Sequence, residues 1–174
     1  MFLIFHKRIF QKNGIRNWLR WDIRKFIMPG CLMQSVNLLL LPSPARSPCY
    51  MQDLGLALKK AHCALREGGK VVVIDVPKES PYGLIYNLAL AVGTWDHPLL
   101  EGCKPKDPYP IELVKQASWR TTKEKSDIMA ANGFGKLEYS QTLTLDPHYS
   151  YTTVEDPIEG YDRGSYVAII GYKE

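Results

Sequence analysis

Apolar residues recur along this chain with two different periods, and the change of period marks out its elements. Ile15, Trp18, Leu19, Ile23, Phe26 and Ile27 fall at three- and four-residue steps, with Arg16, Asn17, Arg20, Arg24 and Lys25 on the other face. That spacing predicts a basic amphipathic helix over 15–27, ended by Pro29-Gly30. Val36 to Leu41, interrupted only at Asn37, predicts a buried strand, and the tract from Pro42 to Pro48 forbids regular structure. Asp53 then offers an N-cap to a helix whose stripe is Leu54, Leu58, Ala61 and Leu65, with Ala57 and Ala64 beside it. Gly68-Gly69 is the expected stop. The β-branched run Val71-Val72-Val73-Ile74-Asp75-Val76 predicts a strand over 70–76 that is covered on both faces, as in the middle of a parallel α/β sheet.

A second helix is expected from about Pro81 to Val92, with Leu84, Ile85, Leu88, Ala89 and Val92 apolar and Tyr82 and Tyr86 alongside. Residues 93–118 form a long connection rich in Pro and Gly, a length that marks a lid or an insertion. Thr121 or Thr122 caps a helix running to Ala131, and Asn132-Gly133 ends it. Leu137, Tyr139, Gln141, Leu143 and Leu145 alternate with polar neighbours and predict a strand over 136–145. Residues 146–163 connect it to a last strand over 164–172. The order predicts an α/β fold whose last two strands form an antiparallel hairpin at one edge of the sheet.

Composition narrows the class. The chain has 174 residues, 45% hydrophobic and 23% charged, which suits one globular core and excludes a disordered or coiled-coil chain. The net charge of +4 hides a division. Residues 1–50 carry eight Lys and Arg against the single acidic Asp22, while the rest carries fourteen against seventeen Asp and Glu. Basicity therefore belongs to the head of the chain, and nucleic-acid binding is not expected. The head is a separate segment, 1–48, distinct from 49–174. Cys31, Cys49, Cys63 and Cys103 form no paired motif, no secretory signal is recognised, and no apolar run reaches the ~20 residues that span a bilayer. A reducing cytoplasm is the expected location.

The segment Ala64-Leu65-Arg66-Glu67-Gly68-Gly69-Lys70-Val71-Val72-Val73-Ile74-Asp75 resembles the helix–strand step midway through class I S-adenosylmethionine-dependent methyltransferases. Trp119-Arg120-Thr121-Thr122 with Ala131-Asn132-Gly133-Phe134 is similar to the helix before that family's penultimate strand. Gln141-Thr142-Leu143-Thr144 and Gly160 to Val167 resemble the final hairpin of its methyltransferase-11 type. The resemblance covers 49–174. It implies an incomplete Rossmann-like sheet, S-adenosylmethionine as cofactor, and methyl transfer to a small molecule. The family's glycine-rich cofactor loop has no counterpart, since residues 1–48 contain only Gly14 and Gly30. The expectation is a truncated domain, weakly active or inactive, whose head is either joined by a shifted reading frame or part of a natural half-domain. The alternative is a non-catalytic interaction module that pairs through an exposed sheet edge and the basic helix.

In open α/β sheets ligands bind beyond the carboxyl ends of the strands. That rule points to the loop after Val76 (Pro77, Lys78, Glu79, Ser80) and to Tyr82, with 93–120 arching over it. The candidate substrate-binding residues are Tyr82, Trp95, Tyr109, Trp119 and Arg120, because aromatic faces suit a sulfonium or another cation. Asp75 and His97 are the candidate catalytic groups. For Asp75 the competing reading is a cap on the turn before Pro77, and for His97 it is an ordinary Asp-His-Pro turn. His62 reads as helix packing and His148 as exposed. No His, Cys and carboxylate set has metal-ligand spacing, so no metal is expected. An open sheet edge predicts a second copy or a partner chain completing the sheet, and the 15–27 helix a possible membrane or partner contact.

Overall fold

The computed structural model describes residues 48–145 and 155–174 and the backbone of 36–41. The expected 15–27 helix and His148 lie outside the described residues. Five strands form one sheet in the order β1-β2-β5-β3-β4. β1 (Val36–Leu41) runs parallel to β2 (Leu65–Asp75). β5 (Tyr166–Lys173) is antiparallel both to β2 and to β3 (Phe134–Thr142), and β3 also pairs with the two residues of β4 (Ile158–Glu159). The fold is the expected mixed α/β sheet. Its last two long strands do pair antiparallel, but β5 lies between β2 and β3, so β3 and β4 take the margin. The chain alternates buried Val167 and Ile169 in β5, which suits that inner position.

The first correction concerns the double glycine. Helix α1 (Leu54–Ala64) ends well before Gly68, with Asp53 capping it through Leu56 N–H at 2.7 Å. Leu65 is already extended (φ −79°, ψ 143°) and opens β2. It pairs with Val36, whereas Leu38 pairs with Lys70, so residues 66–69 form a bulge on β2. The bulge needs both glycines. Gly68 sits at φ +72°, and a Cβ on Gly69 would stand 2.7 Å from the Arg66 carbonyl oxygen. Pairing across the sheet and complete burial of Leu65 outweigh the local helix stop.

Helix α2 (Pro81–Val92) has the expected limits. Ser80 accepts from Gly83 N–H and Gly93 closes the helix in the left-handed region. Its buried face is Tyr82, Gly83, Tyr86 and Ala89, not the leucine stripe, and Leu84 is 60% exposed. The 93–118 connection contains a 3-10 turn at Pro98–Leu100 and the one-turn helix α3 (Ile111–Val114). Helix α4 (Thr122–Ala131) carries the capping box of Thr121 and Glu124. β3 ends at Thr142, short of Leu145, because Leu143 adopts φ 57° and breaks the alternation; Leu145 is left exposed.

Two apolar clusters result. Leu54, Leu58 and Ala61 of α1 and Met129 of α4 pack on Leu65, Val71, Val73, Phe134, Val167 and Ile169. Each leucine so buried contributes about 1.5–3 kcal/mol. His62 packs edge-on to Phe134 at 5.4 Å, as expected for a helix-packing histidine. The second cluster is built on Tyr82, Tyr86, Ala89, Trp95, Leu100 and Val114.

Candidate functional site

β2 delivers Asp75 to its carboxyl end on the same face as Val71 and Val73, since strand side chains alternate. That face is covered, so the carboxylate is only 3% exposed. A buried carboxylate needs a partner, and α4 supplies one: Lys125 Nζ lies 3.0 Å from Asp75 Oδ2, and Lys125 is itself 2% exposed. The buried face of α4 is Thr122, Lys125, Ser126 and Met129, the three- and four-residue spacing of a helix. Lys125 lies in the run Lys123-Glu124-Lys125-Ser126-Asp127, which has the composition of a solvated face, so local pattern does not single it out.

The loop after β2 is zipped to the start of α4. Lys78 N–H donates to the Arg120 carbonyl at 3.1 Å, and Glu79 Oε1 accepts from Thr122 N–H at 2.8 Å. Ser80 donates to the Pro77 carbonyl at 2.7 Å. Gly83 leaves no room there: a Cβ would stand 2.0 Å from the Pro77 carbonyl oxygen.

An aromatic wall stands next to this loop. Tyr86 stacks on Trp119 (5.5 Å) and on Tyr109 (6.2 Å), meets Trp95 edge-on (5.3 Å) and lies 6.4 Å from Tyr82. Trp95 is 8% exposed and donates through Nε1 to the Tyr109 carbonyl at 2.7 Å. The structure thus brings together Tyr82, Trp95, Tyr109 and Trp119, four of the expected residues, and centres them on Tyr86, which the sequence marked only as lying alongside. Burial pushes the Tyr50 phenol up to about 12, with Cys49, Tyr109 and Asp75 adding to the effect. Burial, then Cys49, also raises Tyr109. Tyr166 is raised by burial of its phenol end and by Tyr109, Asp75, Cys49 and Tyr82, although 38% of the residue is exposed. These phenols and Asp75 therefore share one neighbourhood. Tyr50 and Tyr166 carried no local signal: one follows a proline tract and the other opens a strand.

Two candidates are occupied elsewhere. Arg120 donates to the backbone carbonyls of Pro48 (3.2 Å), Ser118 (3.4 Å), Met51 (3.2 Å) and Gln52 (3.4 Å), clamping the chain entering α1. His97 caps the 3-10 turn, its Nδ1 accepting from Leu99 N–H at 3.2 Å. No helix among the described residues is long and apolar enough to cross a membrane.

No family model matches the sequence, and no curated protein matches it either. Solved structures do. A SAM-dependent methyltransferase from Thermotoga maritima, described as a possible histamine N-methyltransferase, is 27% identical with a TM-score of 0.64 over 82% of this chain. A possible exported protein from Bordetella parapertussis is 14% identical, with a TM-score of 0.39 over 80% of the chain and 39% of its own. This chain spans 58% of the length of the Thermotoga enzyme.

Proposed function

We propose that this chain is the acceptor-side portion of a SAM-dependent methyltransferase of the methyltransferase-11 type, acting on a small molecule. Its fold is that of part of such an enzyme, and the likeness to the Thermotoga methyltransferase is the observation that carries the reading. The aromatic wall and the Asp75–Lys125 pair lie at the carboxyl end of β2, where open α/β sheets hold their ligands.

The cofactor needs glycines where backbone can approach the methionine moiety and the ribose. Among the described residues that requirement is not met. The β2–α2 connection is Val76-Pro77-Lys78-Glu79-Ser80, and Gly83 is already closed against the Pro77 carbonyl. The described residues do not fit S-adenosylmethionine. Binding of the cofactor falls to a second copy or a partner chain completing the sheet beyond β1, the edge strand of the described sheet next to β2. Alone, the chain is weakly active or inactive. The cysteines of the described residues form no disulfide, and a reducing cytoplasm is the proposed location.

Within the site, Asp75 is the group suited to hold or accept the proton of an acceptor N–H or O–H, and Lys125 fixes its position. His97 is the weaker catalytic candidate, since its Nδ1 is engaged in the turn. The same absent cradle favours one other reading, a non-catalytic module that pairs through the β1 edge and the basic head. The test is a methyl-transfer assay on the chain with and without lysate fractions supplying the missing half. Activity that appears only on complementation supports the acceptor-side reading. A stable homo-oligomer that stays inactive in every fraction supports the module.

A further inference from the structure

Strand alternation gives the sheet a second apolar face. Val71, Val73, Val167 and Ile169 turn toward α1 and α4 and are buried. Between them Val72, Ile74, Ala168 and Ile170 turn the other way, and all four are half-buried. Val72 stands opposite Ile170 and Ile74 opposite Ala168, while Leu40 of β1 is in register with Val72. None of the four joins either apolar cluster of the described residues. The cluster of α2 and α3 meets the sheet at Val76 and Leu143, just past the ends of β2 and β3.

A β-branched run such as Val71 to Ile74 suits a strand covered on both faces, and one cover is already in place. The limits of the patch give the size of the other. Along β3 the register partners of Ile170 and Ala168 are the polar Glu138 and Ser140. Toward the end where β1 begins, Tyr172 donates to Glu138 at 2.7 Å, with Lys70 and Lys136 over its ring at 4.6 and 5.3 Å. The apolar strip thus spans β1, β2 and β5, about 10 Å, the width of one helix.

The head of the chain carries a segment of that form. Residues 15–27, which lie outside the described residues, have the stripe of Ile15, Trp18, Leu19, Ile23, Phe26 and Ile27 and a basic opposite side. A helix of this length measures about 20 Å, as does a six-residue strand such as β1. The eight residues from Met28 to Ser35 lead into β1 and can extend over about 26–29 Å, well beyond the distance from β1 to β5. Charge favours the same pairing, since the head is basic and the remainder has an acidic excess. A tether this short also keeps the segment at a high effective concentration over the face.

We infer that residues 15–27 form an amphipathic helix that closes the Val72, Ile74, Ala168 and Ile170 face of its own chain, stripe inward and basic side outward. The inference stands apart from the methyl-transfer reading. It is tested by cross-linking the unmodified chain with a short amine-reactive reagent and mapping the linked peptides of the monomer. The last turn of the helix falls at the end where β1 begins, so Lys25 is expected to link to Lys70 or Lys136. Lys59 and Lys60, exposed on α1 across the sheet, are the control. Links from Lys25 to these alone, or to none of the four, overturn the inference. Links found only between chains give the face to a second copy and overturn it too. Urea unfolding of Ile23→Ser, Ile170→Ser and the double variant supplies a second reading. Residues in contact should couple, so that the loss in folding constant of the double variant is about fivefold smaller than the product of the single losses. Losses that simply multiply overturn the inference.

Discussion

Lys125 Nζ stands 3.0 Å from Asp75 Oδ2 with both side chains closed to solvent, so α4 is tied to the end of β2 through a buried ion pair. Removing one partner strands the other charge. Lys125→Met is expected to cost about 3–5 kcal/mol in urea unfolding, and Lys125→Met with Asp75→Asn to recover most of that loss. Single-variant losses that simply add in the double variant would show that the two groups act independently.

Gln141, 1% exposed, holds the 159–164 turn with its whole amide. Its Oε1 accepts from Arg163 N–H (3.0 Å) and Gly164 N–H (2.6 Å); its Nε2 donates to the Glu159 carbonyl (3.2 Å) and Asp162 Oδ1 (2.6 Å). Gln141→Glu turns the last contact into two facing carboxylates. The variant should be less stable than wild type at neutral pH by about 1–3 kcal/mol, and the gap should narrow in acid as a carboxyl protonates. A gap that is constant from neutral pH to acid contradicts this assignment.

The hydrogen bond from Gln141 holds Asp162 below the ordinary carboxylate range. Glu155 is also lowered; burial alone would raise it, but bonds from Thr144 and Leu145 prevail. A carboxylate depressed in the folded state adds stability that is present above its unfolded pKa, about 4, and is lost as pH falls through the folded value. Wild-type stability should therefore decline below about pH 4, and Asp162→Asn should flatten that decline. A steeper acid decline in the variant would refute the sign.

At the alkaline end the sign reverses. Tyr50 ionises near 10 when unfolded and at about 12 when folded, so the folded chain holds its proton longer. Stability is complete below pH 10 and falls as pH rises toward 12. Tyr50→Phe should remove part of that slope in urea midpoints measured across this range. An unaltered slope would place the phenol in solvent.

Gly83 separates local from tertiary cost. In an exposed helix Gly→Ala gains about 1 kcal/mol. Here the added Cβ would stand 2.0 Å from the Pro77 carbonyl oxygen, which is backbone and cannot rotate aside. Gly83→Ala should therefore lose stability, by about 1–3 kcal/mol, and loosen the loop carrying Glu79. A stabilised variant would show that α2 does not pack on that loop.

What was legible in the sequence depended on whether local rules acted alone. Ser80 and Gly93 bracket α2, and Thr121 with Glu124 opens α4, so these limits follow from capping chemistry. Gly68-Gly69 has two uses, helix stop or bulge, and only the pairing of Leu65 with Val36 decides between them. The site was half legible. Asp75, Tyr82, Trp95, Tyr109 and Trp119 were visible because the carboxyl end of a parallel strand is predictable from pattern. Lys125 was not, because a lysine within a charged run reads as solvated; its spacing from Thr122 and Met129 is the signal that would have exposed it. Arg120 was read as a ligand group, yet its donors serve carbonyls far away in sequence, which no local pattern reports.

The most direct test of the account is calorimetry of the full chain with S-adenosylhomocysteine. An acceptor-side portion whose described residues give the cofactor no glycine cradle should show no saturable heat in the micromolar range. A one-site isotherm with micromolar affinity would contradict that claim and return the cofactor to this chain.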